Sequence, residues 1–280
     1  MKNLSTLPVV LFLMITVLVS CKKESSPAFS SNPANDVPET KAPVQKAITL
    51  TINGNIGGYQ EALPARYDST TKEYPLIIFI HGVGELGNGS SDLWMAANIG
   101  TPGLIKNNKF PVSFTANGKT FSFIVLAPQF KAWPSSNDVD AMISYALSKY
   151  RIDTTRIYVS GLSMGGGATW EYAAAYNSRI AAIVPICGAS GPTNEKAQKI
   201  AQGGISVWAF HNLDDGIVSS SNSTGYVNKI NSYNPTTAAR ITLWPSGGHD
   251  AWTKATDPTY KENGMNMYEW MLQFSKKISL

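Results

Sequence analysis

Ser163 lies between two glycines in Gly161-Leu162-Ser163-Met164-Gly165, a G-x-S-x-G pattern that holds a serine on a sharp, strained turn. Glycine is needed on both sides because a Cβ there would collide with the adjoining strand and helix. A serine hydroxyl is a weak nucleophile at neutral pH, so it needs a base within hydrogen-bond reach and an acid that fixes the tautomer of that base. The chain has three histidines. His249, in the glycine-rich stretch Ser246-Gly247-Gly248-His249-Asp250-Ala251-Trp252, is the candidate base. Phe210-His211-Asn212-Leu213-Asp214-Asp215-Gly216 offers two candidate acids, and the glycine beside Asp215 weakly favours it over Asp214 as the residue of a loop entering a helix. Asp214 is then expected to cap a turn. His81 is read as holding its own loop, and His211 as packing at a strand end. Three histidines on three separate loops, without Cys or carboxylate partners at ligand spacing, imply no metal, and no phosphate-binding glycine loop occurs.

The elements that must position these groups follow from the hydrophobic pattern. Tyr74 to Ile80, Phe121 to Leu126, Arg156 to Leu162, Ile180 to Ile186, Ile205 to Phe210 and Arg240 to Trp244 are apolar runs with little alternation, as expected of strands buried on both faces. Helical stripes lie between them, over Asp138 to Tyr150, after Met164, and from Met265 to Phe274. Ala47 to Ile52 and Tyr59 to Leu63 read as antiparallel edge strands joined by the turn at Asn53-Gly54. Asp92 to Asn98 reads as a helix broken by Gly100 and Pro102, and Ala127 to Pro134 as a loop. Alternating strands and helices predict an α/β fold: a single domain with a mostly parallel central sheet, helices on both faces, and functional groups on loops at the strands' carboxyl ends. There His81-Gly82-Val83-Gly84-Glu85 follows an early strand, and the amides of Val83 and Met164 are the candidate oxyanion hole. Glu85, Trp133 and Trp252 are candidates for touching substrate, with Trp94 a further aromatic near the same edge.

At 280 residues and 43% hydrophobic, the chain suits one large domain over residues 46–280. A net charge of +4, carried by dispersed lysines and arginines, does not argue for nucleic acid. Residues 1–20 join a basic start at Lys2 to the apolar run Leu7 to Val19, the pattern of an export signal too short for a membrane span. Leu18-Val19-Ser20-Cys21 resembles a bacterial lipobox, so Cys21 is the expected lipidation site, and residues 21–45, polar and proline-rich, are the expected flexible tether. The expected location is a membrane-anchored lipoprotein, at an outer membrane or cell surface rather than an inner membrane. The second cysteine, Cys187, reads as a buried small hydrophobe.

The motifs Tyr74-Pro75-Leu76, His81-Gly82-Val83-Gly84-Glu85, Leu126-Ala127-Pro128-Gln129, Arg156 to Gly166, Val184-Pro185-Ile186-Cys187-Gly188 and His249-Asp250-Ala251-Trp252 together resemble an α/β-hydrolase esterase of the polyhydroxybutyrate-depolymerase-like group, which includes feruloyl and acetylxylan esterases. The resemblance covers roughly residues 55–275. It implies an α/β-hydrolase fold and a catalytic acid four residues after the strand-end histidine, which His211 places at Asp215. Asn212 departs from the glycine common at its position.

The reading that follows is a serine carboxylesterase with a Ser163–Asp215–His249 triad, acting through an acyl-enzyme without a cofactor. An open cleft suits carbohydrate-linked or short-chain esters such as feruloyl or acetyl esters, on a small molecule or a polysaccharide. Two alternatives stand beside it: a serine peptidase of prolyl-oligopeptidase type, whose usual propeller domain has no room here, and a binding lipoprotein on a hydrolase scaffold.

Overall fold

The computed structural model describes residue 1 and residues 37–276. The expected signal segment, Cys21 and most of the expected tether lie outside them. Contacts divide the chain into two units, residues 1–31 and residues 32–280, and every element below belongs to the second.

Among the described residues, ten strands and seven α-helices follow in chain order: β1 (Val44–Ile48), β2 (Ile56–Leu63), β3 (Tyr74–Ile80), α1 (Gly100–Lys106), β4 (Phe114–Ala116), β5 (Lys119–Phe121), β6 (Ile124–Phe130), α2 (Ser136–Lys149), β7 (Ile152–Leu162), α3 (Met164–Ala175), β8 (Ala182–Ile186), α4 (Asn194–Gln202), β9 (Ser206–Asn212), α5 (Ser221–Ser232), β10 (Arg240–Trp244), α6 (Trp252–Ala255) and α7 (Met267–Met271). Eight strands form one sheet in the order β1-β2-β6-β3-β7-β8-β9-β10. Within this sheet the β1–β2 and β2–β6 pairings are antiparallel. The remaining neighbours run parallel, so the carboxyl ends of β3, β6, β7, β8, β9 and β10 reach one edge.

Side chains alternate across this sheet and so feed two cores. Leu76, Ile78 and Ile80 of β3 pack in a cluster with residues of α2, α3, α4 and α5, whereas Ile77 and Phe79 join one containing residues of α1, α6, α7 and the β4–β5 hairpin. The predicted layering, a mostly parallel sheet covered on both faces, is therefore the observed one. At ~25 cal/mol per Å² of apolar area removed from water, burial on both faces is what holds the central strands.

Several expected elements differ. Residues 49–52 are not strand, since β1 ends at Ile48, and β2 lies inside the sheet between β1 and β6. Leu93–Ala97 is a 3-10 turn, and Gly100–Lys106, expected to be broken, is a helix. Pro102 stands in its first turn, where an N–H has no intrahelical partner to lose. Phe121 closes the β4–β5 hairpin, whose Asn117-Gly118 turn takes positive φ at both residues, and β6 starts later and runs on through Ala127 to Phe130. Glu39, in the segment expected to be tether, is buried and accepts the Arg66 N–H at 2.7 Å. No helix among the described residues is long and apolar enough to cross a membrane.

Candidate active site

Ser163 sits at the junction of β7 and α3 with φ 52° and ψ −114°, a conformation that costs a non-glycine residue energy and projects it from the sheet edge. The flanking glycines are required by their neighbours. A Cβ on Gly161 would lie 2.6 Å from the Gly165 carbonyl oxygen, and one on Gly165 would lie 2.6 Å from that of His81 and closer still to that of Ile80.

The acid and the base arrive from the last two strands. His249 Nδ1 lies 2.8 Å from Asp215 Oδ2, and His249 Nε2 lies 2.8 Å from Ser163 Oγ. A carboxylate only accepts, so the ring proton is on Nδ1, and bare Nε2 is left to accept the serine hydroxyl. Asp215 Oδ1 accepts the N–H groups of Ile217 and Val218, both at 2.9 Å. Burial alone would raise the pKa of Asp215, but the bonds from His249, Val218 and Ile217 outweigh it and hold the acid below the ordinary aspartate value. Asp214 does other work: its carboxylate accepts from Gly247 N–H at 3.2 Å and Gly248 N–H at 2.8 Å. Asn212 Nδ2 donates to the Gly248 carbonyl at 2.9 Å, so the exit of β9 clasps the histidine loop with two side chains.

One expectation is corrected here. The expected site holds serine, aspartate and histidine alone; Cys187 is the buried small hydrophobe expected of it, packed in the core cluster, but it is not remote from that site. Cys187 takes φ 39° directly after β8, and its sulfur, an Asp215 oxygen and a His249 nitrogen all lie within 4.8 Å of one another. The acid–base pair thus stands against a thiol as well as a hydroxyl. The three-member serine description, and the name serine esterase that rested on it, do not stand as given. Proximity is not activation, however. Cys187 is fully buried, and burial pushes its thiol up to about 12 against the lowering effect of the Ser163 and Ala251 backbone N–H groups. The thiolate that would attack is scarce at neutral pH. Cys187, Asp215 and His249 are also the one grouping among the described residues with the reach to hold a metal ion. The N–H donors already gathered on Asp215 leave little of that carboxylate for a cation, and we assign it none.

The loop after β3 is pinned from behind. His81 Nδ1–H donates to the Gly82 carbonyl at 2.7 Å, and its Nε2 accepts the Phe130 N–H at 3.0 Å, so the buried ring is a neutral staple between this loop and β6. Burial brings its pKa down to about 4. Gln129, which sequence reasoning quoted only as part of a motif, is the second staple. Its Nε2 donates to the carbonyls of Glu85 and Asp92, each at 3.0 Å, and its Oε1 accepts the Gly89 N–H at 2.9 Å. A glutamine inside an otherwise apolar strand was the available signal. Val83 and Met164 each begin a helical turn, so their N–H groups have no partner within it. Glu85 is half-buried, and its Oε2 would stand 3.1 Å from a Cβ on Gly82, in the same loop. Burial raises its pKa. Trp252 meets His249 edge-on at 5.3 Å, while Trp133 and Trp94 are both more than half exposed. Val83, Leu213 and Ile217, on the loops that carry the chemistry, are also more than half exposed.

A parallel sheet with a strained serine after its central strand, followed in chain order by an acid after β9 and a histidine after β10, defines an α/β-hydrolase. The chain belongs to the phospholipase/carboxylesterase family, whose model matches residues 67–261. It is 27% identical over 154 residues to a bifunctional acetylxylan esterase/xylanase of Neocallimastix patriciarum, an alignment covering 55% of this chain and 21% of that protein, so the chain spans about a fifth of that relative's length. Among solved structures it resembles a thermostable esterase at 25% identity, with a TM-score of 0.58 over 84% of this chain and 63% of the other. A mutant feruloyl esterase module from Clostridium thermocellum complexed with sinapinate shares the fold at 19% identity, with a TM-score of 0.51 over 78% and 85% of the two chains.

Proposed function

We propose that this protein hydrolyses carboxylic esters, with His249 as general base and acid and Asp215 as the residue that orients it. The observation that carries the reading is the unbroken line from Asp215 through His249 to Ser163 Oγ, with both contacts at 2.8 Å. Of the two groups beside the imidazole, the Ser163 hydroxyl is the one hydrogen-bonded to its basic nitrogen and partly exposed to a substrate. Its attack on the ester carbonyl would transfer the hydroxyl proton to Nε2, and collapse of the tetrahedral intermediate would return that proton to the leaving alcohol. The amides of Val83 and Met164 are proposed to receive the developing oxyanion. Water then repeats the sequence on the acyl group, and Cys187 stands beside the acid–base pair as a buried, protonated thiol.

Esters of short or aromatic acids on a carbohydrate alcohol are the substrate class we favour. Exposed Trp133 and partly buried Trp252 near the catalytic edge support it as stacking surfaces for a sugar or an aromatic acyl ring. The test is a panel of aryl acetates and butyrates, methyl ferulate, acetylated xylan and a prolyl amide, run on the wild type and on Ser163→Ala and Cys187→Ala. Loss of ester turnover by about 10⁴-fold in the first variant and retention in the second is expected. Retention in Ser163→Ala with loss in Cys187→Ala would transfer the attack to the thiol, and amide turnover without ester turnover would remove the ester reading.

A further inference from the structure

His211 is completely buried at the end of β9, and the proposed chemistry does not use it. Its partners determine its protonation. Nε2 faces two acceptors, the Val218 carbonyl oxygen at 2.9 Å and Asp215 Oδ2 at 3.2 Å. Neither can donate, so the ring proton is on Nε2. Nδ1 is therefore bare and accepts the hydroxyl of Ser223, in α5, at 2.8 Å. Burial lowers the pKa of the ring, in keeping with a neutral donor.

Asp215 Oδ2 consequently stands between two histidine N–H groups, that of His249 at 2.8 Å and that of His211 at 3.2 Å, while Oδ1 is held by two backbone N–H groups. With the two backbone bonds alone, the carboxylate could still swing about the axis they define, and the His211 contact restrains the oxygen that meets the base. The same N–H is shared with Val218, the far end of the loop that carries Asp215, so one buried ring fixes both the carboxylate and its loop against β9 and α5.

We infer that His211, held in its Nε2–H tautomer by Ser223, is a positioning residue for the acid, setting the angle at which Asp215 meets His249. The inference rests on the ester-hydrolase reading for its kinetic consequence. Losing one shared bond to a charged group corresponds to a loss of roughly 10-fold, the lower end for such bonds because this one is long and divided. The loss falls on kcat and leaves KM unchanged, since His211 lies behind the acid and away from substrate.

The test compares wild type, His211→Phe, which fills the space without a donor, His211→Gln, which restores an N–H, and Ser223→Ala, which frees the tautomer. On an aryl acetate, His211→Phe should lose about 10-fold in kcat at constant KM, His211→Gln should regain most of it, and Ser223→Ala should fall between. The downfield proton resonance of the His249 Nδ1–H should also move in His211→Phe, a readout that needs no turnover. Unchanged kcat with an unmoved resonance, an effect on KM alone, or a glutamine no better than phenylalanine would each overturn the inference. Should His211→Phe not fold, Ser223→Ala with its kcat and resonance carries the same decision. A wild type inactive on every ester would remove the functional reading, while the resonance would still decide the role of His211.

Discussion

Lowering the pH from about 7 to about 4.5 should destabilise this fold through one buried ring, and the size of the effect follows from its surroundings. His81 uses both nitrogens, one donating to Gly82 and one accepting from Phe130. A proton on Nε2 would set one N–H against another in a site closed to water. Burial accordingly brings its pKa from 6.5 down to about 4. Between those values an unfolded chain holds a proton that the folded chain refuses. The contribution to stability is therefore complete above about pH 6.5, shrinks as the pH falls, and is gone below about pH 4. At ~1.36 kcal/mol per pH unit it amounts to about 3 kcal/mol in all, and roughly 2.5 kcal/mol of that is lost by about pH 4.5. Urea unfolding followed by tryptophan fluorescence at the two pH values measures it. Other acid-titrating groups act in the same range, so the informative comparison is with His81→Gln, whose amide offers one donor and one acceptor but no proton to gain. The wild type should lose about 2.5 kcal/mol more than the variant over the interval. Equal losses would show that His81 is not the buried neutral staple described, and the reasoning would fail.

Three other outcomes are expected. Asp215→Asn should cut ester turnover by roughly 10⁴-fold by leaving His249 in the wrong tautomer, whereas Asp214→Asn, which weakens only the clasp on Gly247 and Gly248, should cost far less; a greater loss at Asp214 would reverse the assignment. Gly165→Ala should destabilise by about 3 kcal/mol, because the new methyl meets the backbone carbonyls of Ile80 and His81, which cannot swing aside; a melting temperature within about 2 °C of wild type would refute the tight crossing. We also propose that Cys21 carries lipid, and Cys21→Ala should move the protein from the membrane to the soluble fraction of the cell; an unchanged membrane fraction would count against it.

The sheet was legible because its strands are apolar runs ended by polar or glycine-rich stretches. Arg240–Trp244 even has the expected limits, and the chain order serine, aspartate, histidine placed three side chains on the same edge. What escaped the reading depends on pairings a single strand does not display. Ala127-Pro128-Gln129 looks like a loop, yet β6 continues through it because β2 still pairs there, with Tyr59 opposite Pro128. The β3 ladder has already ended at Leu126, so one side of β6 no longer needs the N–H that proline lacks. Helix α1 was hidden by Gly100 and Pro102, residues that disfavour a helix interior but are tolerated at its start. The approach of Cys187 to His249 could not be read at all. It arises through space, from a positive φ at the end of β8 that nothing in a cysteine announces.

The clasp formed by Asn212 and Asp214 divides the rim of the site into two kinds of residue. These two side chains reach sideways and fasten the loop of His249 to the exit of β9, so the acid and the base are carried on what is mechanically a single bracket. Leu213 and Ile217, interleaved with them in the same short stretch, are exposed. Replacing either exposed apolar residue leaves the bracket closed, while replacing Asn212 or Asp214 removes one of its fastenings. A library confined to Val83, Trp133, Leu213 and Ile217 would therefore vary the exposed rim of the site while leaving the bracket and the contacts that carry the proton in place.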